Sequence, residues 1–197
     1  MKNTLSTLCV VGNQAIMGTN IYLISDTHFF HNNIIKYCDR PFKDVEEMNS
    51  ELIKRWNNTV SNDDIVIHCG DVGLGNVNKI ASIVQSLNGH KRLILGNHDL
   101  KPQKMLEMGF EWVSPFPIIW QEKYIISHEP MQEVPRGYIN IYGHVHQNPA
   151  FPSFCEDGIC VCCERFDYKP VEFSTLIKEW KQHQNCGVKL KDLCNPF

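Results

Sequence analysis

The chain has 197 residues, 43% of them apolar and 21% charged, with a formal charge of −3. That length suits one domain around one core. The composition excludes a disordered chain, no apolar run approaches the eighteen or so residues needed to cross a bilayer, and the charge leaves no footprint for sequence-independent nucleic-acid binding.

In chain order, residues 1–19 read as a flexible N-terminal extension, 20–185 as the folded domain and 186–197 as a C-terminal tail. The extension carries one lysine, and Asn13 and Gln14 interrupt its apolar middle, so it does not read as a secretory signal. Leu8 stands where a lipid-attachment signal at Cys9 would need a small residue. Nine cysteines, an odd number without regular spacing, point to reduced thiols and a cytoplasmic protein.

Ile21-Tyr22-Leu23-Ile24 predicts a buried strand, and residues 44–57 predict a helix with Val45, Met48, Leu52, Ile53 and Trp56 on one face. A second strand follows at 64–69. The next helix, 76–87, turns Val77, Ile80, Ile83, Val84 and Leu87 to one side, and 88–90 supply its C-cap. A third strand at 92–96 and a short helix near 101–109 complete an α/β half. The second half changes character. Apolar runs at 116–120, 123–128, 138–144 and 159–166, separated by turn residues, predict a second sheet packed on the first, and a helix at 174–183 closes the chain. Cys155, Cys160, Cys162 and Cys163 are too crowded for two separated Cys-x-x-Cys units. With Cys160 and Cys162 on one face of a strand, and Val161 and Cys163 on the other, they read as small apolar packing. Cys186 and Cys194 have no reading.

The apolar runs share one feature. The first ends in Asp26-Thr27-His28, the second in His68-Cys69-Gly70-Asp71 and the third in Gly96-Asn97-His98-Asp99; later runs deliver His128, then His144 and His146. Polar residues just past a buried strand have no packing reason to be there, and in open α/β sheets the carboxyl edge is where ligands bind. Carboxylate, carboxamide and neutral imidazole suit divalent first-row metals, manganese first, with iron, zinc and nickel as alternatives. Two Asp, one Asn and four His exceed what one ion needs, so a pair of ions bridged by one carboxylate is the economical reading. Such ions, about 3.5–4 Å apart, lower the pKa of a bridging water and clamp the oxygens of an in-line displacement at phosphorus. That chemistry is phosphoester hydrolysis.

The ordered set Asp-x-His, Gly-Asp, Gly-Asn-His-Asp, His and Gly-His-x-His, spanning residues 26–146, resembles the calcineurin-like metallophosphoesterase superfamily, and in particular its small single-domain bacterial and phage members. The resemblance implies a four-layer α/β sandwich of two mixed β-sheets flanked by helices. It also implies that Asp26, His28 and His146 hold one metal, that Asn97, His128 and His144 hold the other, and that Asp71 bridges them. A bridging hydroxide would attack phosphorus. His98 would be the general acid that protonates the leaving alkoxide, with Asp99 orienting its imidazole.

Departures narrow the subclass. The stretch 70–76 lacks the second aspartate and the arginine of the protein-phosphatase signature, and neither a capping domain nor an apolar helical insertion is evident. The expected substrate is a small phosphodiester such as a cyclic or linear nucleotide, with a phosphomonoester or a nucleotide pyrophosphate as the alternative and a non-catalytic scaffold as the reading from another class. Asn97, His31 and Arg40 are the candidates for contact with substrate. His68 reads as structural, and His90 and His183 as surface residues. The sequence gives no oligomeric state.

Overall fold

The structure, a computed structural model, describes residues 9–10, 19–184 and 187–194. Of the expected extension only Cys9, Val10 and Thr19 fall among them, and of the expected tail residues 187–194. Among the described residues no helix is long and apolar enough to cross a membrane.

After a two-residue strand β1 (Cys9–Val10), the first half is built from β2 (Ile21–Ile24), α1 (Asn32–Tyr37), α2 (Val45–Thr59), β3 (Ile65–His68), α3 (Val77–Ser86), β4 (His90–Ile94), α4 (Pro102–Glu107) and β5 (Trp112–Ser114). Strands β2 to β5 are parallel neighbours, each joined to the next by helices. Alternation along each strand divides its side chains between two cores. Ile24, Val66 and Leu93 face Met48, Leu52, Trp56, Ile80 and Val84 of α2 and α3. Leu23, Ile67 and Ile94 face the second sheet. The helices begin where the sequence offers caps: Asp44 accepts from the Glu47 amide and Asn76 from the Lys79 amide.

The second sheet takes β6 (Ile118–Trp120), β7 (Tyr124–Ile126), β8 (Ile139–Tyr142), β9 (Phe154–Cys155) and β10 (Gly158–Cys160), in the order β1-β6-β7-β8-β10-β9. A short β11 (Val171–Glu172) returns to the first sheet, antiparallel to β2, so that sheet runs β11-β2-β3-β4-β5. Helix α5 (Phe173–His183) then buries Leu176, Ile177 and Trp180 in the core between the sheets, and α6 (Leu190–Leu193) seats Leu190 against Tyr142, Cys155, Cys160 and Cys162. The architecture is the expected α/β one, two mixed sheets with helices.

Six short elements, β1, α1, β5, β9, β11 and α6, fall where no element was expected. The run expected as a strand through Phe166 stops at Cys160, and Cys163–Phe166 wind into a single 3-10 turn. Cys160 and Cys162 still lie on one side, Sγ to Sγ 3.4 Å, while Val161 enters the inter-sheet core and Cys163 the helix-side core.

Candidate metal centre

Parallel pairing in register fixes where the polar residues arrive. Ile24 is opposite His68, and His68 opposite Leu93, so the loops after β2, β3 and β4 leave the sheet at one edge. In the second sheet β7 and β8 are likewise parallel, and they release His128 and His144 at the same end. The two edges are stitched together. Ser25 donates its amide to the Val161 carbonyl (3.0 Å) and accepts from the Cys163 amide (2.9 Å), while Asp26 Oδ2 accepts from the His144 amide (2.9 Å).

The loops must bend sharply to deliver side chains here. Asp26, His28, Asp71, His144 and His146 all have φ between 48° and 69°. In that left-handed region a non-glycine residue is uncommon, though Asp and His tolerate it better than most. Two glycines allow the close approach. A Cβ on Gly96 would fall on Asp71 Oδ1, and one on Gly143 would fall on Ser25 Oγ.

Seven predicted ligands converge. Around Asp26 Oδ1 stand His28 Nε2 (3.9 Å) and His146 Nε2 (3.8 Å); Asp71 Oδ2 lies 3.5 Å from His28 Nε2 and 3.6 Å from His128 Nε2. Asn97 Oδ1 lies 3.0 Å from His128 Nε2 and 3.1 Å from His144 Nδ1. Donors bound about 2.1 Å from a common ion stand roughly 3–4 Å apart, so two neighbouring groups share Asp71 as their common member.

The outer nitrogens fix the tautomers, assigned here from their partners. His128 Nδ1–H donates to the Cys69 carbonyl (2.8 Å), and His146 Nδ1–H to Glu164 Oε1 (2.8 Å). Each Nε2 is thereby left with its lone pair facing the centre.

Two buried atoms call for a cation. Asp26 Oδ1 and His28 Nε2 are buried with no hydrogen-bond partner. Such orphans are costly, and a metal ion is the partner whose chemistry suits both. Burial pushes the Asp26 carboxyl up from its ordinary value, against the pull of His146 and His128, and burial with the nearby Arg40 charge pushes His28 down. His146 behaves oppositely. Burial lowers it, but hydrogen bonds with Cys38 and Glu164 and the charges of Glu164 and Asp26 outweigh that and raise it to about 10.

Not every predicted residue serves as expected. Arg40 does not reach the cleft: its buried guanidinium bonds Glu164 Oε1 (2.6 Å) and the carbonyls of Asp26 (2.7 Å) and Thr27 (3.0 Å), bracing the first ligand loop from beneath. Asp99 does not orient the His98 imidazole either. Its carboxylate accepts from the amides of Gly96 (2.8 Å), Asp71 (2.9 Å) and Val72 (2.9 Å), so it ties two loops together. His98 itself is exposed on the cleft wall, its ring 5.6 Å from that of His28, and its amide donates to Asp71 Oδ1 (2.9 Å). His31 lines the cleft, Nδ1 3.2 Å from His28 Nδ1. His68 is a satisfied core residue. Its Nε2–H donates to Thr27 Oγ1 (3.0 Å), Nδ1 accepts from the Gly70 amide (3.2 Å), and burial lowers its pKa to about 3. His90 and His183 are exposed.

Glu164 and Cys38 were not legible in the sequence as part of the site. Both stand within ligand distance of His146. Burial raises the Glu164 carboxyl, but its bond to His146 and the Arg40 charge prevail and hold it at about 2.

The family model for calcineurin-like phosphoesterases matches residues 19–172. An uncharacterized protein of Methanocaldococcus jannaschii is 39% identical over 166 residues, 80% of this chain and 89% of its own length. The gene 66 protein of Mycobacterium phage L5 is 36% identical over 84 residues, 41% of this chain and 40% of its own. The crystal structure of a protein of unknown function from Aquifex aeolicus, 24% identical, covers 82% of this chain and 100% of its own with a TM-score of 0.61, a likeness of fold alone. By the span of the family model and the extent of the first relative, the chain belongs to the calcineurin-like phosphoesterases, a family of metal-binding phosphoester hydrolases.

Proposed function

We propose that this chain hydrolyses small phosphoesters, diesters ahead of monoesters, with two divalent ions, manganese first. Asp26, His28 and His146 would hold one ion, Asn97, His128 and His144 the other, and Asp71 both. The observation that carries the reading is the pair of buried, unpartnered donors, Asp26 Oδ1 and His28 Nε2, turned toward further ligand-type atoms. Bound there, the ions supply a lowered pKa for water and charge neutralisation at the phosphoryl oxygens.

The remaining work falls to the chain. When the bond from phosphorus to the leaving oxygen breaks, that oxygen needs a proton. His98 lies on the cleft wall and outside both ligand groups, so its imidazole is free to give one. Asp71 holds the His98 backbone, and Asp99 holds the loop that presents it. Preference for diesters rests on the analogy of family and on the compact site.

Metal-stripped protein is to be assayed on an aryl phosphodiester and the matching monoester after addition of manganese, zinc or magnesium. Turnover should return with metal, favour the diester, and fall about 10²- to 10⁴-fold in His98→Ala. Activity that survives chelation or this substitution would sink the mechanism, and a monoester preference would reverse the substrate assignment.

A further inference from the structure

The cleft beside the metal centre has a volume of about 740 Å³, within the range of small-molecule sites. Its lining is mixed: His31, Asp39 and His98 are polar, and Ile34, Tyr37 and Leu74 bring apolar surface. Tyr37, the last residue of α1, is 73% exposed, and Leu74, on the loop after β3, is 41% exposed. Exposed apolar side chains grouped with a few polar ones in a cleft of this size are the surface of a small-molecule site. Both are held in place. The Tyr37 ring stands at 80° to that of His31 with centroids 6.2 Å apart, and the Leu74 amide donates to the Phe29 carbonyl (2.9 Å).

A smaller recess of about 110 Å³ continues past Leu74 and His98, lined by Val77, Leu100 and Met105. Charge narrows the choice further. Among the described residues lining the cleft there is no Lys or Arg, whereas Asp39 and Asp71 are present, and Arg40 is committed to Glu164 beneath the loop. A second phosphate away from the metal centre would meet the Asp39 carboxylate and no Lys or Arg.

We infer that Tyr37 and Leu74 form a subsite for an uncharged flat ring, so that the site selects esters of a single phosphate with a nucleoside or aryl group over polyphosphates and over small aliphatic esters. The inference rests on the phosphoesterase reading and deepens it. Tyr37 supplies a stacking face and Leu74 the apolar wall, a contact that alanine substitution at comparable sites weakens by roughly tenfold or more.

Two measurements on the manganese-loaded chain test it. In the first, the methyl esters of thymidine 5′-phosphate and of 2-deoxyribose 5-phosphate, which share a methanol leaving group and differ in the ring, are compared. The nucleoside ester should have roughly tenfold lower KM; Tyr37→Ala should erase that advantage with kcat nearly unchanged, and Tyr37→Phe should restore it. In the second, calorimetry compares thymidine 5′-monophosphate, ribose 5-phosphate and thymidine 5′-triphosphate, which needs no turnover. The monophosphate should bind tightest, and only its margin over ribose 5-phosphate should shrink in Tyr37→Ala. Metal-dependent turnover with equal KM for both esters would overturn the ring subsite and leave the hydrolase standing. Equal binding of thymidine 5′-monophosphate and ribose 5-phosphate would overturn it whether or not turnover is found, and tighter binding of the triphosphate would overturn the single-phosphate selection.

Discussion

The Glu164 carboxylate stands between the buried Arg40 guanidinium and the His146 imidazole, and it accepts from both through Oε1. Through Arg40 it supports the carbonyls of Asp26 and Thr27, and through His146 it fixes the nitrogen offered to a metal. A partner of this kind, one bond removed from the ion, typically changes metal affinity 10- to 100-fold when lost. Glu164→Gln should therefore weaken manganese binding in calorimetry by that factor. The pH dependence has a definite sign. Its folded pKa of about 2 lies below the ordinary 4.5, so the stability it contributes is complete above pH 4.5 and is lost as pH falls toward 2. In acid titrations of unfolding free energy, the variant should lose slope over that window relative to the parent; equal slopes would assign the stabilisation elsewhere.

At the scale of elements, the centre depends on five loops approaching closer than ordinary side chains allow. Gly96→Ala would drive a methyl group into Asp71, and Gly143→Ala one into Ser25, each displacing a ligand loop by a fraction of an ångström or more. Displacements of that size cost on the order of 10²-fold in rate. Both variants should lose at least that much kcat/KM while far-ultraviolet circular dichroism keeps its shape; retained activity would show that the loops can yield. The same loops explain what could be read in advance. Helices α2, α3 and α5 bury apolar faces at helical spacing, and the ligands follow strands whose β-branched runs end abruptly. Helix α1 buries only Ile34, and β5 and β9 span three and two residues, too few for periodicity to register. Glu164 is joined to Arg40 across 124 positions, a contact with no local trace. Asp99 misled because a neighbour in sequence suggested a side-chain partner, whereas the turn aims its carboxylate at backbone amides.

Across the whole molecule, the proposed ligand set draws Asp26, His28, Asp71 and Asn97 from the loops of one sheet and His128, His144 and His146 from those of the other. Ions bound between them would cross-link the two halves. At a free metal concentration one hundred times Kd this stabilises the fold by about 2.7 kcal/mol per site. Chelation that empties both sites should then lower the midpoint of thermal unfolding by about 10–20 °C for a domain of this size. An unchanged midpoint would mean that the sheets are already fully tied without metal. The left-handed backbone at Asp26, His28, Asp71, His144 and His146 has a further consequence. Each such residue costs of order 1–3 kcal/mol, and two carry unpartnered buried atoms as well. A library selected only for resistance to heat in the absence of metal would therefore accumulate glycine or asparagine at these positions. Its winners would be sturdier proteins without the proposed metal site, because in this fold the least comfortable residues are the ones assigned to it.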